Sequence, residues 1–315
     1  MEILLVCPGC RTVSGDRLDV RTIERVGDSF VCACGRRYPI VGGVPVVFAQ
    51  PPDPSAIAVD ELDPETAALL AEPGPDDALF PRLLEHVSIY FDAHWGDRAE
   101  PAVPLASDVL VAKLAERATH RVAACVELGC SAGRMLAELA RGADRVVGVD
   151  IQHGVLRRAA RLLAGEPVAY ARRMAGRHYA TATARAGDLQ TSAAMLVCGD
   201  AMDPPLVPGA FGRVVALNLL DVVRRPRELF AVLDGLCARG GELVISSPYA
   251  WQSGYVDEDA RLGGADPAAA LRDLVTTGLS RPYTIEDEAE LAWSLRRDAR
   301  SAATYRIHYI RARKG

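Results

Sequence analysis

The chain has 315 residues, of which half are hydrophobic and about a quarter are charged, so it can build a sizeable core and is not broadly disordered. Its formal net charge of −5 disfavours a nucleic-acid partner, which usually requires a basic surface. Because no stretch approaches the roughly 18 apolar residues of a membrane helix and the N-terminus lacks a signal-peptide pattern, we expect no membrane segment and a cytoplasmic location.

Four cysteines lie within the first 34 residues, as Cys7-x-x-Cys10 and Cys32-x-Cys34. Closely paired cysteines in a cytoplasmic protein indicate a metal site more than disulfides. A four-thiolate set predicts structural Zn²⁺, because such an ion has no open coordination position for catalysis. A module this small buries too little apolar surface to be stable alone, and a metal would supply the missing constraint. Four reduced, metal-free thiols are the alternative.

Differences in composition divide the N-terminal part of the chain into a β module, a linker and a helical segment. The run RRYPIVGGVPVVF (36–48) predicts strand, Gly-Gly turn and strand, which completes a β module over residues 1–50. Residues 51–78 are acidic and proline-rich with no Lys or Arg, and they predict a linker. Residues 79–120 contain two helical patterns and predict a lid or N-terminal extension.

Residues 121–315 alternate between predicted strands and helices. Strands are predicted at about 122–128, 145–150, 194–199, 213–219 and 241–247, with helices at about 133–141, 153–164 and 226–238. This alternation predicts an α/β fold with a doubly wound, mostly parallel, Rossmann-like sheet. Two further strands, at 279–287 and 303–312, would close the sheet antiparallel. Residues 166–192 form an insertion without a predicted structure.

Acidic residues mark the ends of the first three predicted strands. Glu127 precedes a turn from Gly129 to Gly133 and suits a cationic group such as an amino-acid ammonium. Asp150 follows Gly129 by 150 − 129 = 21 residues and suits a ribose diol. Asp200 suits the exocyclic amine of adenine. Ligands of such sheets bind at the carboxyl ends of the strands, so we expect these three acids to converge.

The glycine turn departs from a dinucleotide fingerprint, because Ser131 and Arg134 stand where glycines are expected. The three acids and the short turn instead resemble class I S-adenosylmethionine-dependent methyltransferases. The resemblance implies that this cofactor is bound, and the residues matched to its site are Tyr90, Glu127, Gly129, Cys130, Ser131, Gly133, Asp150, Ile151, Asp200, Ala201, Met202, Asn218 and Leu219.

A closer resemblance extends over about residues 85–312. It is carried by IYFDAHWGD (89–97), ELGCSAGR (127–134), GDAMDPP (199–205), LNLLDVV (217–223) and GGELVISSPYAW (240–251), which look like the C-terminal methyltransferase domain of ovothiol synthases. Members of that family methylate a ring nitrogen of a thiol-bearing histidine derivative. Arg261 stands where a tryptophan is expected, and only cofactor and reaction type carry over. The N-terminal segment resembles small zinc-ribbon proteins that activate methyltransferases.

Methyl transfer from a sulfonium requires mainly alignment of donor and acceptor and exclusion of water. His94, Tyr249 and Asp221 are the candidate catalytic residues: His94 in a lid, Tyr249 lining the acceptor pocket, and Asp221 as an acceptor contact or base. The leading hypothesis is methylation of a small molecule at an amino-acid-like or heteroaromatic nitrogen. The alternatives are an RNA or protein methyltransferase docked by the zinc ribbon, a non-catalytic partner that binds the cofactor, and, last, a nicotinamide oxidoreductase.

Overall fold

A computed structural model gives the fold of the chain. It describes residues 5–14, 17–50, 83–96, 105–116, 120–189, 191–252 and 256–315, and the linker predicted at 51–78 lies outside them. Within the described residues, no helix is both long and apolar enough to cross a membrane.

The N-terminal residues form the small β module that the sequence predicts. Its strands are β1 (Thr12–Ser14), β2 (Arg17–Asp19), β3 (Ile23–Val26), β4 (Ser29–Cys32), β5 (Arg37–Val41) and β6 (Val44–Pro45). β1 and β2 form a hairpin, and β3 to β6 form a four-stranded antiparallel sheet. Gly42 and Gly43, at φ of 55° and 82°, make the turn between β5 and β6.

The central sheet has seven strands. In chain order they are β7 (Cys125–Leu128), β8 (Val146–Asp150), β11 (Ala194–Cys198), β12 (Phe211–Leu217), β13 (Cys237–Ser247), β14 (Tyr283–Arg296) and β15 (Ala302–Lys314). Their order in the sheet is β11-β8-β7-β12-β13-β15-β14. The first five pair in parallel, and β15 is antiparallel to both its neighbours. The predicted mostly parallel α/β fold is therefore confirmed.

Helices cover both faces of this sheet, which is why its inner strands are buried on both sides. The helices are α1 (Leu83–Trp95), α2 (Ala106–Ala115), α3 (Arg134–Leu139), α4 (His153–Leu163), α5 (Pro226–Leu236) and α6 (Pro267–Thr277). Along β7, Cys125 belongs to the core of one face and Val126 to the core of the other. The strand order reverses between β7 and β12, which opens a crevice at their carboxyl ends.

Two features extend beyond the predicted pattern. The insertion at 166–192 contains a β-hairpin, β9 (Val168–Ala175) with β10 (His178–Ala184). β14 is also longer than the predicted strand at 279–287. Ser247, the last residue of β13, pairs with His308, so residues 302–307 of β15 pair only with β14 and form an arm past the end of β13.

The N-terminal module packs directly on the edge of the central sheet. Val46 forms a parallel bridge with Cys198, and the N–H of Val47 donates to the Cys198 carbonyl at 2.8 Å. Arg11 pairs with Asp203 and with the carbonyl of Pro204, in the loop after β11. The module therefore supports the loop that begins at the third strand end.

Candidate active site

The turn between β7 and α3 lies at the crevice and approaches Leu219 closely. Gly129 has φ of 75°, and a Cβ there would lie 2.8 Å from Cδ1 of Leu219. The N–H groups of Gly129 and Cys130 both donate to the Val149 carbonyl, at 2.8 and 3.2 Å. Since only glycine accepts this conformation at this distance without strain, the turn can bring its backbone close to a ligand.

Asp150 joins this turn to the end of β8. Its two carboxylate oxygens accept hydrogen bonds from the N–H groups of Ser131 and Gln152, each at 2.9 Å. Burial raises the pKa of Asp150, and these hydrogen bonds oppose the effect. Each oxygen can accept a further bond, so the carboxylate has the acceptor capacity that a ribose diol requires.

Glu127 is a buried acid, with 2% of its surface exposed. Among the described residues, its Oε2 atom has no hydrogen-bond partner. Burial and the charge of Asp150 together raise the pKa of Glu127 well above 4.5. Buried polar atoms normally have partners, so this orphan oxygen points to a cationic ligand group as the missing one.

The third acid joins the same crevice. Cys198 pairs with Asp150 across β11 and β8, and the N–H of Gly199 donates to the Asp150 carbonyl at 2.9 Å. Asp200 follows at once, and its Oδ1 accepts from the N–H of Met202 at 2.8 Å. Strand pairing thus brings together the ends that carry Glu127, Asp150 and Asp200.

Ile151 extends from this edge with 65% of its surface exposed. It follows Asp150, while Ala201 and Met202 on the neighbouring loop are half-buried. An exposed isoleucine beside two acids that suit a nucleoside offers an apolar surface to an adenine ring.

Three residues other than glycine have positive φ within the described part of the chain: Ser131 (46°), Asn218 (53°) and Tyr249 (53°). Each follows a parallel strand, namely β7, β12 and β13, where that strand reaches the crevice. Oδ1 of Asn218 accepts from Oγ of Ser246 at 2.8 Å. Backbone strain of this kind concentrates at functional sites, so its placement marks the crevice independently of the acids.

The end of α1 lies against the glycine turn. Trp95 donates its indole N–H to the carbonyl of Ala132 at 2.7 Å, and the N–H of Arg134 donates to Nδ1 of His94 at 3.4 Å. Burial and the Arg134 charge lower the pKa of His94 to about 4, so its ring is neutral at neutral pH. His94 therefore contacts the end of the glycine turn as a hydrogen-bond acceptor.

Asp92 attaches α1 to two distant strands. Its carboxylate lies 2.8 Å from Nε of Arg296 on β14 and accepts from the hydroxyl of Tyr170 on β9 at 3.0 Å. The helix, the insertion hairpin and the arm are thereby joined on one side of the crevice.

Asp221, in the short turn after β12, is 5% exposed. Oγ of Ser247 donates to its Oδ1 at 3.2 Å, and burial raises its pKa to about 6. Burial raises the pKa values of Tyr90 on α1 and Tyr305 on the arm, and the charge of Asp221 raises both further. Tyr305 was not among the predicted residues, because only the antiparallel return of β15 brings it here.

The side chain of Tyr249 contacts β15 and, through it, β14. Its hydroxyl lies 2.7 Å from Nδ1 of His308 on β15, and Nε2 of His308 lies 2.7 Å from Glu288 on β14. Burial raises the pKa of Tyr249, and the charges with the largest further effect on it are those of β14, α6 and the residue before α6. His308 and Glu288 were also missed, since each is an ordinary strand residue in the local sequence.

The four N-terminal cysteines converge as predicted. Their sulfur atoms all lie within 4.8 Å of one another, with Cys7 and Cys34 3.9 Å apart and Cys10 and Cys32 3.8 Å apart. Four sulfurs at 2.3 Å from a tetrahedral zinc ion would be about 3.8 Å apart, so the cluster fits that ion. All eight cysteines of the chain are free of disulfides.

Comparison with known proteins gives a family match and several similar solved structures. Residues 126–245 match the family model described as a methyltransferase domain. The search of curated proteins gives no match. Among solved structures, the N-methyltransferase NodS from Bradyrhizobium japonicum is 15% identical (TM-score 0.42), with 66% of this chain and 93% of that chain covered.

Two further structures are similar to the chain. Magnesium protoporphyrin IX methyltransferase from Synechocystis is 15% identical (TM-score 0.42), with 66% of this chain and 81% of that chain covered. The [4+2]-cyclase SpnF is also 15% identical (TM-score 0.45), with 73% and 96% covered. The family match therefore shows that residues 126–245 are similar to a methyltransferase domain, and they lie within the mostly parallel sheet described above.

Proposed function

We propose that this enzyme transfers the methyl group of S-adenosylmethionine to an amino-acid-like or heteroaromatic nitrogen of a small molecule. The observation that carries the proposal is that three adjacent parallel strands, β7, β8 and β11, carry Glu127, Asp150 and Asp200 at or just after their carboxyl ends, with an unpaired buried oxygen on Glu127. Glu127 would hold the ammonium group of the cofactor, Asp150 its ribose hydroxyls and Asp200 its adenine amine. The other proposed contacts are Tyr90, Gly129, Cys130, Ser131, Gly133, Ile151, Ala201, Met202, Asn218 and Leu219.

The bound cofactor supplies a methyl group already activated as a sulfonium, so the chain's own residues need mainly to orient the acceptor and exclude water. Asp221 is buried and its pKa is about 6, so near neutral pH it can accept a hydrogen bond from an N–H or pair with a cationic nitrogen. His94 and Tyr249 complete the proposed set, His94 beside the glycine turn and Tyr249 after β13.

A small acceptor is favoured by what surrounds Asp221. Tyr90 and Tyr305 come from α1 and the arm, which Asp92 links through Arg296. An amino-acid-like or heteroaromatic molecule carries both the polar nitrogen and the flat apolar surface that such a pocket would contact. The SPYAW segment, which resembles that of ovothiol synthases, makes a thiol-bearing histidine the first acceptor to test.

The proposed organisation has four parts: a zinc-ribbon-like module (1–50), an acidic linker (51–78), a helical extension (79–120) and the methyltransferase domain (121–315). Cys7, Cys10, Cys32 and Cys34 would hold Zn²⁺ in a structural role, since four thiolates leave no open position.

Calorimetry with S-adenosylhomocysteine tests the cofactor assignment, and NADH is the control ligand. We expect micromolar binding of the first and none of the second, and failure of the wild-type protein to bind S-adenosylhomocysteine would overturn the proposal.

Release of S-adenosylhomocysteine would then be measured with histidine, thiol-bearing histidine, histamine, a peptide and bulk tRNA. We expect turnover with a small nitrogen acceptor. Turnover confined to tRNA, with a steep salt dependence, would establish the RNA alternative instead.

A further inference from the structure

A chain of hydrogen-bonded side chains runs from Tyr249 towards the protein surface. The Tyr249 hydroxyl is 2.7 Å from Nδ1 of His308, and Nε2 of His308 is 2.7 Å from Oε1 of Glu288. Nε of Arg272, on α6, donates to the same carboxylate at 2.5 Å. The side chain of His308 is 2% exposed, whereas those of Glu288 and Arg272 are 31% and 44% exposed. The chain therefore connects a buried imidazole to a solvated ion pair.

The charged end of this chain sets the direction of its hydrogen bonds when the His308 ring is neutral. Although burial raises the pKa of Glu288, hydrogen bonds from His308 and Arg272 bring it below the usual value, so this group is a carboxylate and can only accept. Nε2 of His308 must then carry the proton and donate. In the neutral ring Nδ1 is left with a lone pair, which accepts from the Tyr249 hydroxyl.

The backbone also constrains Tyr249. Its φ of 53° is strained for a side chain with a Cβ, and its N–H donates to Oγ of Ser247 at 3.0 Å. Ser247 in turn donates to Asp221. Tyr249 is thus held at both ends, and its backbone is linked through one serine to the proposed acceptor contact.

We infer that His308 and Glu288 are positioning residues that commit the Tyr249 hydroxyl to donating inwards, so that its oxygen offers only lone pairs to the methyl acceptor. The site then selects acceptors that carry an N–H, such as a primary or secondary amine or an imidazole, over analogues in which that N–H is replaced by N-methyl. The inference rests on the proposed function. Arg272, Glu290 and Asp266 are the other charged groups that act on Tyr249.

The hydrogen-bond direction can be measured without an acceptor. Long-range ¹H–¹⁵N correlation spectra of the full chain report the tautomer of each of its six histidines, and the His308 signals are those lost in His308→Gln. We expect the Nε2–H tautomer in the wild type and in Tyr249→Phe, and a mixture in Glu288→Gln. The Nδ1–H tautomer, or a ring protonated on both nitrogens, in the wild type would overturn the inference.

Steady-state kinetics test the consequence for substrate specificity. They compare the small acceptor that is methylated in the assay described above with its N-methylated analogue. Tyr249→Phe and Glu288→Gln should each lower kcat/KM for the N–H acceptor about tenfold, mainly by raising KM. The ratio of kcat/KM for this acceptor to that for its N-methylated analogue should therefore fall in both variants. Glu290→Gln is the matched control, since it removes a nearby charge on the same strand but no bond of the chain.

Calorimetry distinguishes a loss of acceptor recognition from a loss of cofactor binding. Each variant should bind S-adenosylhomocysteine within about twofold of wild type, so a kinetic loss reports on the acceptor side. An unchanged preference in both variants would refute the inference while leaving the proposed function intact. Absence of binding to the wild type would instead refute the proposed function, and the tautomer spectra would still decide the direction of the chain.

Discussion

Glu127 offers the sharpest test of the crevice, because its predicted effects on stability and on binding have opposite signs. The substitution Glu127→Gln keeps the size of the side chain and removes its charge. In the ligand-free protein the wild-type carboxylate is buried, and one of its oxygens has no partner among the described residues. Folding must therefore either bury a charge or keep this carboxyl protonated against its ordinary pKa, and glutamine avoids both, so the substitution should raise the unfolding temperature at neutral pH.

The pH dependence follows from the raised pKa of Glu127. A carboxyl whose pKa is higher in the folded state than its ordinary value of 4.5 releases its proton more readily when the chain unfolds. The wild type should therefore lose stability, relative to Glu127→Gln, as the pH rises above about 4.5 and until the folded-state pKa is passed. Below pH 4 the two proteins should unfold at similar temperatures.

Binding should respond in the opposite direction. A hydrogen bond to a charged group contributes about 1.5–3 kcal/mol, so Glu127→Gln should weaken binding of S-adenosylhomocysteine by roughly 10- to 150-fold. Calorimetry and thermal unfolding between pH 4 and 8 measure both effects, with the surface substitution Glu166→Gln as control. Equal affinity in the two proteins, or a lower unfolding temperature for ligand-free Glu127→Gln, would refute the assigned role.

Three more substitutions test other parts of the structure. Gly129→Ala should destabilise the chain by about 1–3 kcal/mol in urea unfolding and weaken cofactor binding, because the new Cβ meets Leu219 at a positive φ. Ile151→Ser should weaken S-adenosylhomocysteine binding about tenfold in calorimetry without lowering the unfolding temperature, since the side chain is exposed in the free protein; a parallel loss of stability would contradict this. Purified wild type should contain one zinc ion per chain by elemental analysis, and Cys32→Ser should lose the metal and unfold at lower temperature; a metal-free, equally stable wild type would exclude the zinc site.

Local sequence predicted the strands that build the crevice because each carries its own signal. Buried parallel strands are continuous apolar runs, and their ends are marked by acids or by a glycine turn, as at Glu127, Gly129 and Asp150. Parallel pairing in register then brings such ends to one edge. The four cysteines were equally visible, because their spacing is itself the signal.

Other parts of the site had no such signal. Tyr305, His308 and Glu288 are ordinary residues of two long strands, and their importance depends on β15 returning antiparallel beside β13. The contact between Val46 and Cys198 joins residues 152 positions apart, which no local pattern reports.

The amino-acid order by itself therefore determined the class of fold, the strand ends that carry the three acids and the thiolate cluster, since each depends on neighbours within one turn or one strand end. Tertiary structure alone decided which residues lie near Asp221 and Tyr249 and where the N-terminal module packs. Those choices depend on pairing between distant strands, whose energy comes from burial and register across the sheet and leaves no mark in a short stretch of chain.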